Sequence, residues 1–466
     1  MRRIGRIGAA LLAILATTPL AATAQTVEPN DSLHCTACRT SPHFRRAFTE
    51  MFLFELAPYS YNRWVGKKDE DQTTLQSWGY NLRRGWSFDN NDFPVNHFEH
   101  PYSGAIYFNS ARSHGYGFWR SSVFPMVGSA LWEYFGEKQQ PSINDQVNTT
   151  LGGIILGEMM FRLSSAVLDD HARGTGRVFR EIGAGLVDPP RGLARLLEGG
   201  AGHGGANASD GLPNGLRAHV ELGMFRQDHI VNRRQTMYGA DQVLAGFSLA
   251  AGDPLAGVRR PFDAFRIELA TATGGNAPST EARVLGFLGA RDLVRQDGVD
   301  QQLAGALHFH YNQNSAFVTG GEGLSGGLLS RYKLGAGLSI RTELWLTGIV
   351  LGAVKPDSGT RRVARDTSAR GYDYGSGGGA RLLFRLDRGR HTLVDIGYQP
   401  FWYGILSGAA RSHFYDIASA RLQLPLVGPA ALGVRQVVYH RVSHYADRPV
   451  TRLIDGQTQL FSSFSF

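Results

Sequence analysis

The chain has 466 residues, a formal net charge of +8, 19% charged and 42% hydrophobic residues, 58 glycines and two cysteines. This length exceeds one small core, the basic excess is too mild for a nucleic-acid footprint, and two cysteines exclude a disulfide-dense scaffold. In chain order, Arg2, Arg3 and Arg6 precede an apolar run from Ile7 to Leu15 and the small residues Ala22-Thr23-Ala24. That layout predicts a cleaved secretory signal over residues 1–24, with a mature start at Gln25 and no lipoprotein cysteine after it. Its removal takes three arginines and lowers the formal charge from +8 to +5. No later apolar run is long enough for a membrane helix, so the expected destinations are the periplasm and the outer membrane. Cys35 and Cys38 follow as Cys-Thr-Ala-Cys, with Arg39 where haem attachment would need His. In an oxidising compartment this predicts a small disulfide loop near the mature N-terminus.

Residues 25–200 read as a helical domain, with candidate helices over 42–58, 104–116, 121–137, 142–169 and 178–197, the last broken at Pro189-Pro190. In the fourth, Ile143, Val147, Leu151, Ile154, Ile155 and Met159 recur at helical spacing, and Ser142 is placed to cap it. Gly153 and Gly157, one turn apart, thin a face of that helix for the close approach of another. Each glycine costs roughly 1 kcal/mol of helicity against alanine, so packing has to compensate. Residues 201–215 then form a glycine-rich linker.

From 216 to 466 the pattern changes to period two. Leu216, Ala218, Val220, Leu222 and Met224 alternate with Arg217, His219 and Glu221, and Phe265, Ile267 and Leu269 with Arg266 and Glu268. Some dozen such segments of roughly ten residues are joined by short turns, the length a tilted strand needs to cross a bilayer. Soluble sandwich strands are shorter. The last segment alternates through Thr458, Leu460, Ser462 and Phe464 to end on Phe466, as outer-membrane barrels finish; it has to pair with the segment near 216 to close the sheet. The expected architecture is α+β: an N-terminal helical domain followed by a C-terminal antiparallel transmembrane β-barrel of about 12 strands. Arg341, Glu343, Arg381, Arg385, Arg421 and Arg435 are expected to face the lumen, and Trp345, Tyr398, Trp402, Tyr415 and Tyr439 to supply interfacial girdles.

The helical half is dense in reactive side chains between residues 86 and 165. Asp145, Asn148 and Thr149 share a helix face, and Glu133 and Glu137 lie one turn apart on the preceding helix. With His97 and His100 from the earlier loop, the set His97, His100, Glu133 and Asp145 is a candidate for acid/base chemistry on a lipid or glycan ester, and the identity of any metal or cofactor stays open. Asn96, Asn109, Arg112, Asn148 and Glu137 complete the candidate cluster. The same residues equally suit helix capping and internal polar packing. No G-x-S-x-G elbow, H-E-x-x-H helix or phosphate-binding loop accompanies them.

The strings Val95-Asn96-His97-Phe98-Glu99-His100-Pro101-Tyr102-Ser103-Gly104, Asn109-Ser110-Ala111-Arg112, Trp132-Glu133-Tyr134-Phe135-Gly136-Glu137 and Pro141-Ser142-Ile143-Asn144-Asp145 resemble the bacterial family named domain of unknown function 3943, over residues 60–170. The resemblance implies a secreted, envelope-associated protein and assigns no catalytic residue. Two functions follow as expectations. One is a non-enzymatic protein of the cell outer membrane, with its helical domain in the periplasm or the lumen, its partners being outer-membrane lipid and the barrel-assembly machinery. The other is an envelope lipid-modifying hydrolase or transferase.

Overall fold

The computed structural model describes residues 42–202, 215–231, 234–237, 241–273, 279–313, 318–355 and 371–466. The expected signal at 1–24, Cys35 and Cys38, and most of the glycine-rich linker lie outside the described residues.

The period-two half forms β1 (Leu216–Val231), β2 (Arg234–Met237), β3 (Gln242–Ala251), β4 (Phe265–Thr273), β5 (Ser279–Gln296), β6 (Val299–Gln313) and β7 (Val318–Gly335). It continues as β8 (Leu338–Val354), β9 (Asp373–Arg388), β10 (His391–Ser407), β11 (Ala410–Pro425), β12 (Ala430–Tyr445) and β13 (Thr451–Ser465). β2 is a short hairpin on the far end of β1, and the other twelve strands close an antiparallel barrel through the β13–β1 seam. At that seam His219 pairs with Ser465 and Met224 with Leu460. Ala218 and Phe466 exchange backbone hydrogen bonds, N–H to C=O, at 3.2 and 2.9 Å. The terminal strand thus does what its pattern predicts, and no backbone edge is left for lipid to face.

Alternation sorts the side chains as it must. Leu222, Met224, Leu344, Leu346 and Ile396 point outward and are exposed, while the charged partners turn into the lumen and pair there. Arg266 on β4 reaches Glu343 on β8 at 2.6 Å, and Glu268 on β4 meets Arg381 on β9 at 3.5 Å. Three and four strands separate these partners in the wall, so both bonds cross the lumen. Arg283 to Glu268 (2.8 Å), Arg385 to Asp395 (2.6 Å) and Arg435 to Glu221 (2.8 Å) extend the network. Of the expected girdle aromatics, Tyr398 and Trp402 do face outward, whereas Trp345, Tyr415 and Tyr439 are buried. Trp345 shares its parity with Arg341 and Glu343 and donates to the Glu343 carboxylate at 2.9 Å. Tyr415 bonds Thr319 and His310 across the lumen, each at 3.1 Å.

The other half folds into α1 (Phe44–Ser60), α2 (Leu75–Asn81), α3 (His100–Ser113), α4 (Phe118–Ser121), α5 (Val123–Leu131), α6 (Ile143–Val147), α7 (Gly153–Val167), α8 (Gly174–Val187) and α9 (Pro189–Leu197). π-helical segments at Tyr61–Gly66, Val95–Glu99, Trp132–Gly136 and Asn148–Gly152 follow or join them, so 143–167 runs without a break. Ser142 caps α6 by accepting from the Asp145 N–H. α2, which hydrophobic periodicity does not reveal, opens on a capping box between Thr74 and Ser77.

α3 and α7 cross where glycines meet: a Cβ on Gly153 would lie 2.5 Å from the Gly104 carbonyl carbon, and one on Gly104 only 1.8 Å from the Thr149 oxygen. A side chain on either residue would drive the helices apart.

The helical domain sits neither in the lumen nor clear of the barrel; it lies against the outer wall. One row of outward residues runs across the strands as Leu249, Ile267, Val284, Phe309, Glu322 and Leu351, each the register partner of the next. Every member is buried, and the five apolar ones share a core with Phe93, Phe108, Ile154, Ile155 and Met160 of the helices. The lumen is already filled by its own charged and aromatic side chains, which is why a helical plug has no room there. Arg162 at the end of α7 fastens the domain to the β3–β4 connection, donating to the Pro261 carbonyl at 2.8 Å and pairing with Asp263 at 3.5 Å.

Candidate polar site in the helical domain

Beneath the α3–α7 crossing, the start of α6 gathers a buried polar network. Asn144 is its hub: its amide donates to Asp89 Oδ1 (2.6 Å), Asp145 Oδ1 (2.7 Å) and Asn96 Oδ1 (3.2 Å), and its oxygen accepts from the Ser142 hydroxyl (2.8 Å). Asn96 in turn donates to the Tyr372 hydroxyl at 2.7 Å, which ties the network to the barrel. Asn148 donates to the Asn96 carbonyl at 2.7 Å. Glu133 accepts from the Ser142 N–H at 2.7 Å, and Glu137 accepts from the Trp132 indole at 2.7 Å.

His100 lies between Asp145, at 3.4 Å from Nε2, and the Thr149 hydroxyl, at 3.3 Å from Nδ1. The structure therefore brings His100, Asp145 and, through Ser142, Glu133 together. His97 stands apart. Its ring packs among Phe93, Tyr372 and Tyr374 of the wall contact, neither ring nitrogen has a hydrogen-bond partner among the described residues, and Gly320 makes room for it. Arg112 is also elsewhere, holding Glu158 with two bonds of 2.8 and 3.1 Å, and Asn109 is fully buried on α3. Among the described residues no three His, Cys, Asp or Glu side chains converge as metal ligands.

Burial sets the charge state of the cluster. It pushes the carboxyls of Glu133 and Asp145 well above the ordinary range, the neighbouring Asp145 adding to the rise at Glu133 and Asp89 to that at Asp145. Glu137 is raised to about 7, by burial first and then by Asp145. Burial lowers His100, against the opposing pull of Glu137 and Asp89, and takes His97 down to about 3. For each of these groups burial favours the uncharged form, which limits the uncompensated charge the site has to hold. A proton could pass between Asp145 and His100, but the His100 side chain is only 14% exposed and that of Asp145 1%. An open apolar groove of about 450 Å³, lined by Trp86, Met126, Val127, Tyr134, Phe135 and Gln146, lies beside α5 and α6; none of the four candidate catalytic residues lines it.

A closed antiparallel barrel, apolar outside and ion-paired within, makes this an outer-membrane β-barrel protein. Residues 85–190, the segment that carries the polar network and α7, match the family model described as Domain of unknown function (DUF3943). No curated protein matches the chain. Among solved structures, the toluene transporter TodX of Pseudomonas putida is 9% identical, with 54% of this chain and 89% of that one covered at a TM-score of 0.24. OpdO of Pseudomonas aeruginosa is 15% identical over 54% and 97%, at 0.18. A loop-deletion form of the Vibrio cholerae outer membrane protein OmpT is 6% identical over 54% and 99%, at 0.24.

Proposed function

We propose that this protein is a sealed barrel of the outer membrane whose work is done on its outer wall, where it holds the helical domain, and not by passing solutes. The observation that carries this reading is the set of bonds that cross the lumen: Arg266 to Glu343, Glu268 to Arg381, and Tyr415 to Thr319 and His310. These bonds of 2.6 to 3.5 Å join strands four or five places apart in the twelve-strand wall and put side chains where a water column would run at their level. Delivery by a cleaved signal over 1–24, and insertion by the barrel-assembly machinery acting on the strand that ends in Phe466, belong to the same reading.

Planar-bilayer recording tests it. The native protein is expected to give no stable conductance steps, while Arg266→Ala combined with Arg381→Ala, which cuts both wall-to-wall pairs, opens a measurable one. Regular porin-sized steps from the native protein would overturn the proposal.

The contact of His100 with Asp145 and Thr149 favours a second reading, an envelope hydrolase or transferase using His100, Asp145 and Glu133. Under it, His100→Gln changes the lipid composition of the envelope without lowering the melting temperature; under the first, it lowers the melting temperature and leaves the lipids as they were.

A further inference from the structure

α8 is built the wrong way round for a helix that faces water. Val178, Phe179, Ile182 and Leu186 fall on one side of it, and they are 55, 73, 54 and 59% exposed. The opposite side packs inward through Ala184, whose carbonyl accepts from Ser164 of α7, and through Arg177 and Glu181, which are held by Asp170, Arg195 and the carbonyls of Gly200 and Ala201. Four large apolar side chains thus project from the molecule while the charges that would normally cover such a helix are turned inward. Arg173, the residue before the helix, and Arg180, whose guanidinium donates to the Val167 carbonyl at 3.1 Å, are also exposed, away from the apolar stripe.

The place of α8 in the fold says what meets that stripe. The last turns of α7 carry Arg162 against the β3–β4 connection and end at Val167, and Val187 at the end of α8 packs in the same core as Leu216, the first residue of the barrel. α8 therefore lies at the rim where the barrel begins and ends. That rim carries the short turns 297–298, 336–337, 389–390 and 426–429, whereas the connection over 355–372 is at the other. Short turns mark the periplasmic end of such barrels. At the same rim Phe118 packs on Phe262, and the adjoining Trp119 is 67% exposed, an aromatic placed as interfacial anchors are. Because the helical domain is attached to the lipid-facing side of the wall, the stripe stands on the side of the molecule that faces the bilayer.

We propose that α8 lies in the plane of the periplasmic leaflet, with Val178, Phe179, Ile182 and Leu186 among the acyl chains of membrane phospholipid and Arg173 and Arg180 at the level of the headgroup phosphates. An amphipathic helix at the boundary of headgroups and chains is the arrangement that satisfies both sets of side chains. This deepens the assignment of the working surface to the outer wall, and its test is independent of whether the lumen conducts.

The test places a nitroxide on full-length protein reconstituted in phosphatidylethanolamine–phosphatidylglycerol vesicles. Phe179→Cys, Ile182→Cys and, for comparison, Arg173→Cys are labelled separately, each with Cys35→Ser and Cys38→Ser, and each is checked for heat-modifiable gel migration. At 179 and 182 collisions with oxygen, which concentrates in the chains, are expected to exceed those with a water-soluble nickel chelate several-fold, with the ratio reversed at 173. Strong chelate collisions at 179 and 182 would place the stripe in water and overturn the proposal. Weak collisions with both probes would mean that protein, a second copy included, covers it, and would overturn the proposal as well.

Discussion

Gly153→Ala puts the α3–α7 crossing to the test. The added methyl carbon would sit 2.5 Å from the Gly104 carbonyl carbon and 2.6 Å from its Cα, where ordinary contacts begin at 3.4 Å. The obstacle is backbone, which cannot rotate away as a side chain can, so the helices have to separate by roughly 1 Å. Overpacking of this kind costs about 1–3 kcal/mol, and alanine returns about 1 kcal/mol of helix propensity. A net loss of up to about 2 kcal/mol lowers the melting temperature of a domain of this size by up to roughly 8 °C. Circular dichroism at 222 nm on detergent-extracted protein reads that melt, and heat-modifiable migration reports separately that the barrel is intact. Gly176→Ala is the matched control. Gly176 lies within α8, and its added carbon meets nothing within 4 Å, so this variant is expected to gain up to about 1 kcal/mol. A Gly153→Ala protein that melts above the native temperature, as Gly176→Ala is expected to, would refute the close-packed crossing.

Three further outcomes follow from the same structure. Asn144→Leu removes the donor shared by Asp89, Asn96 and Asp145 and is expected to cost about 3 kcal/mol or more, since each buried group left without a partner costs about 1–3 kcal/mol; an unchanged denaturation midpoint would contradict the hub assignment. Burial raises Glu55 to about 8 from an ordinary 4.5, so its contribution to stability is fully present below about pH 4.5 and is lost as the pH rises to about 8. Glu55→Gln should therefore flatten the pH dependence of the helical melt across that window, and a profile as steep as the native one would sink the point. Arg162→Met breaks the link to Pro261 and Asp263 and leaves Glu158 with Arg112 alone; it is expected to make the helices cleavable by protease while the barrel still shifts on a gel, and equal protease resistance would argue against that fastening.

The barrel was legible because the period-two rule, carried by wall strands that reach 15 to 18 residues in all but β3 and β4, runs far longer than a small sheet requires, and because the alternation through Leu460 and Phe464 marks a last strand that has to meet the first. The inward turn of Trp345 was legible as well, since it stands two residues from Glu343 on the same face; reading it as a girdle residue set aromatic character above parity. What alternation could not supply is the cover on the wall. Ile267, Val284 and Phe309 are apolar whether lipid or a helix lies over them, so the row on which the helical domain docks looks like any other stretch of lipid-facing strand. Glu322 is the exception in that row, a carboxylate on the outward face, and marks it as unlike the rest. In the helical half, the glycines at 153 and 157 announced a close neighbour without naming Gly104 as the partner. The polar cluster was visible as composition, but the separation of His97 from His100 was not. A π-helical turn over 95–99 carries one histidine to the wall and leaves the other beside Asp145. The contribution of Tyr372 comes from the barrel, some 270 residues along, and no local pattern foretells it.

The docking row has a mechanical consequence. It reaches from the third strand to the eighth along the direction of the hydrogen bonds, so the helical domain covers six adjoining strands at once, like a splint nailed over planks. A cylinder held only by ladder bonds can yield by letting one stave slip two residues past the next and keep its polarity. Here such a slip would pull Ile267, Val284 or Phe309 from its seat, and the splint would resist along six staves at once.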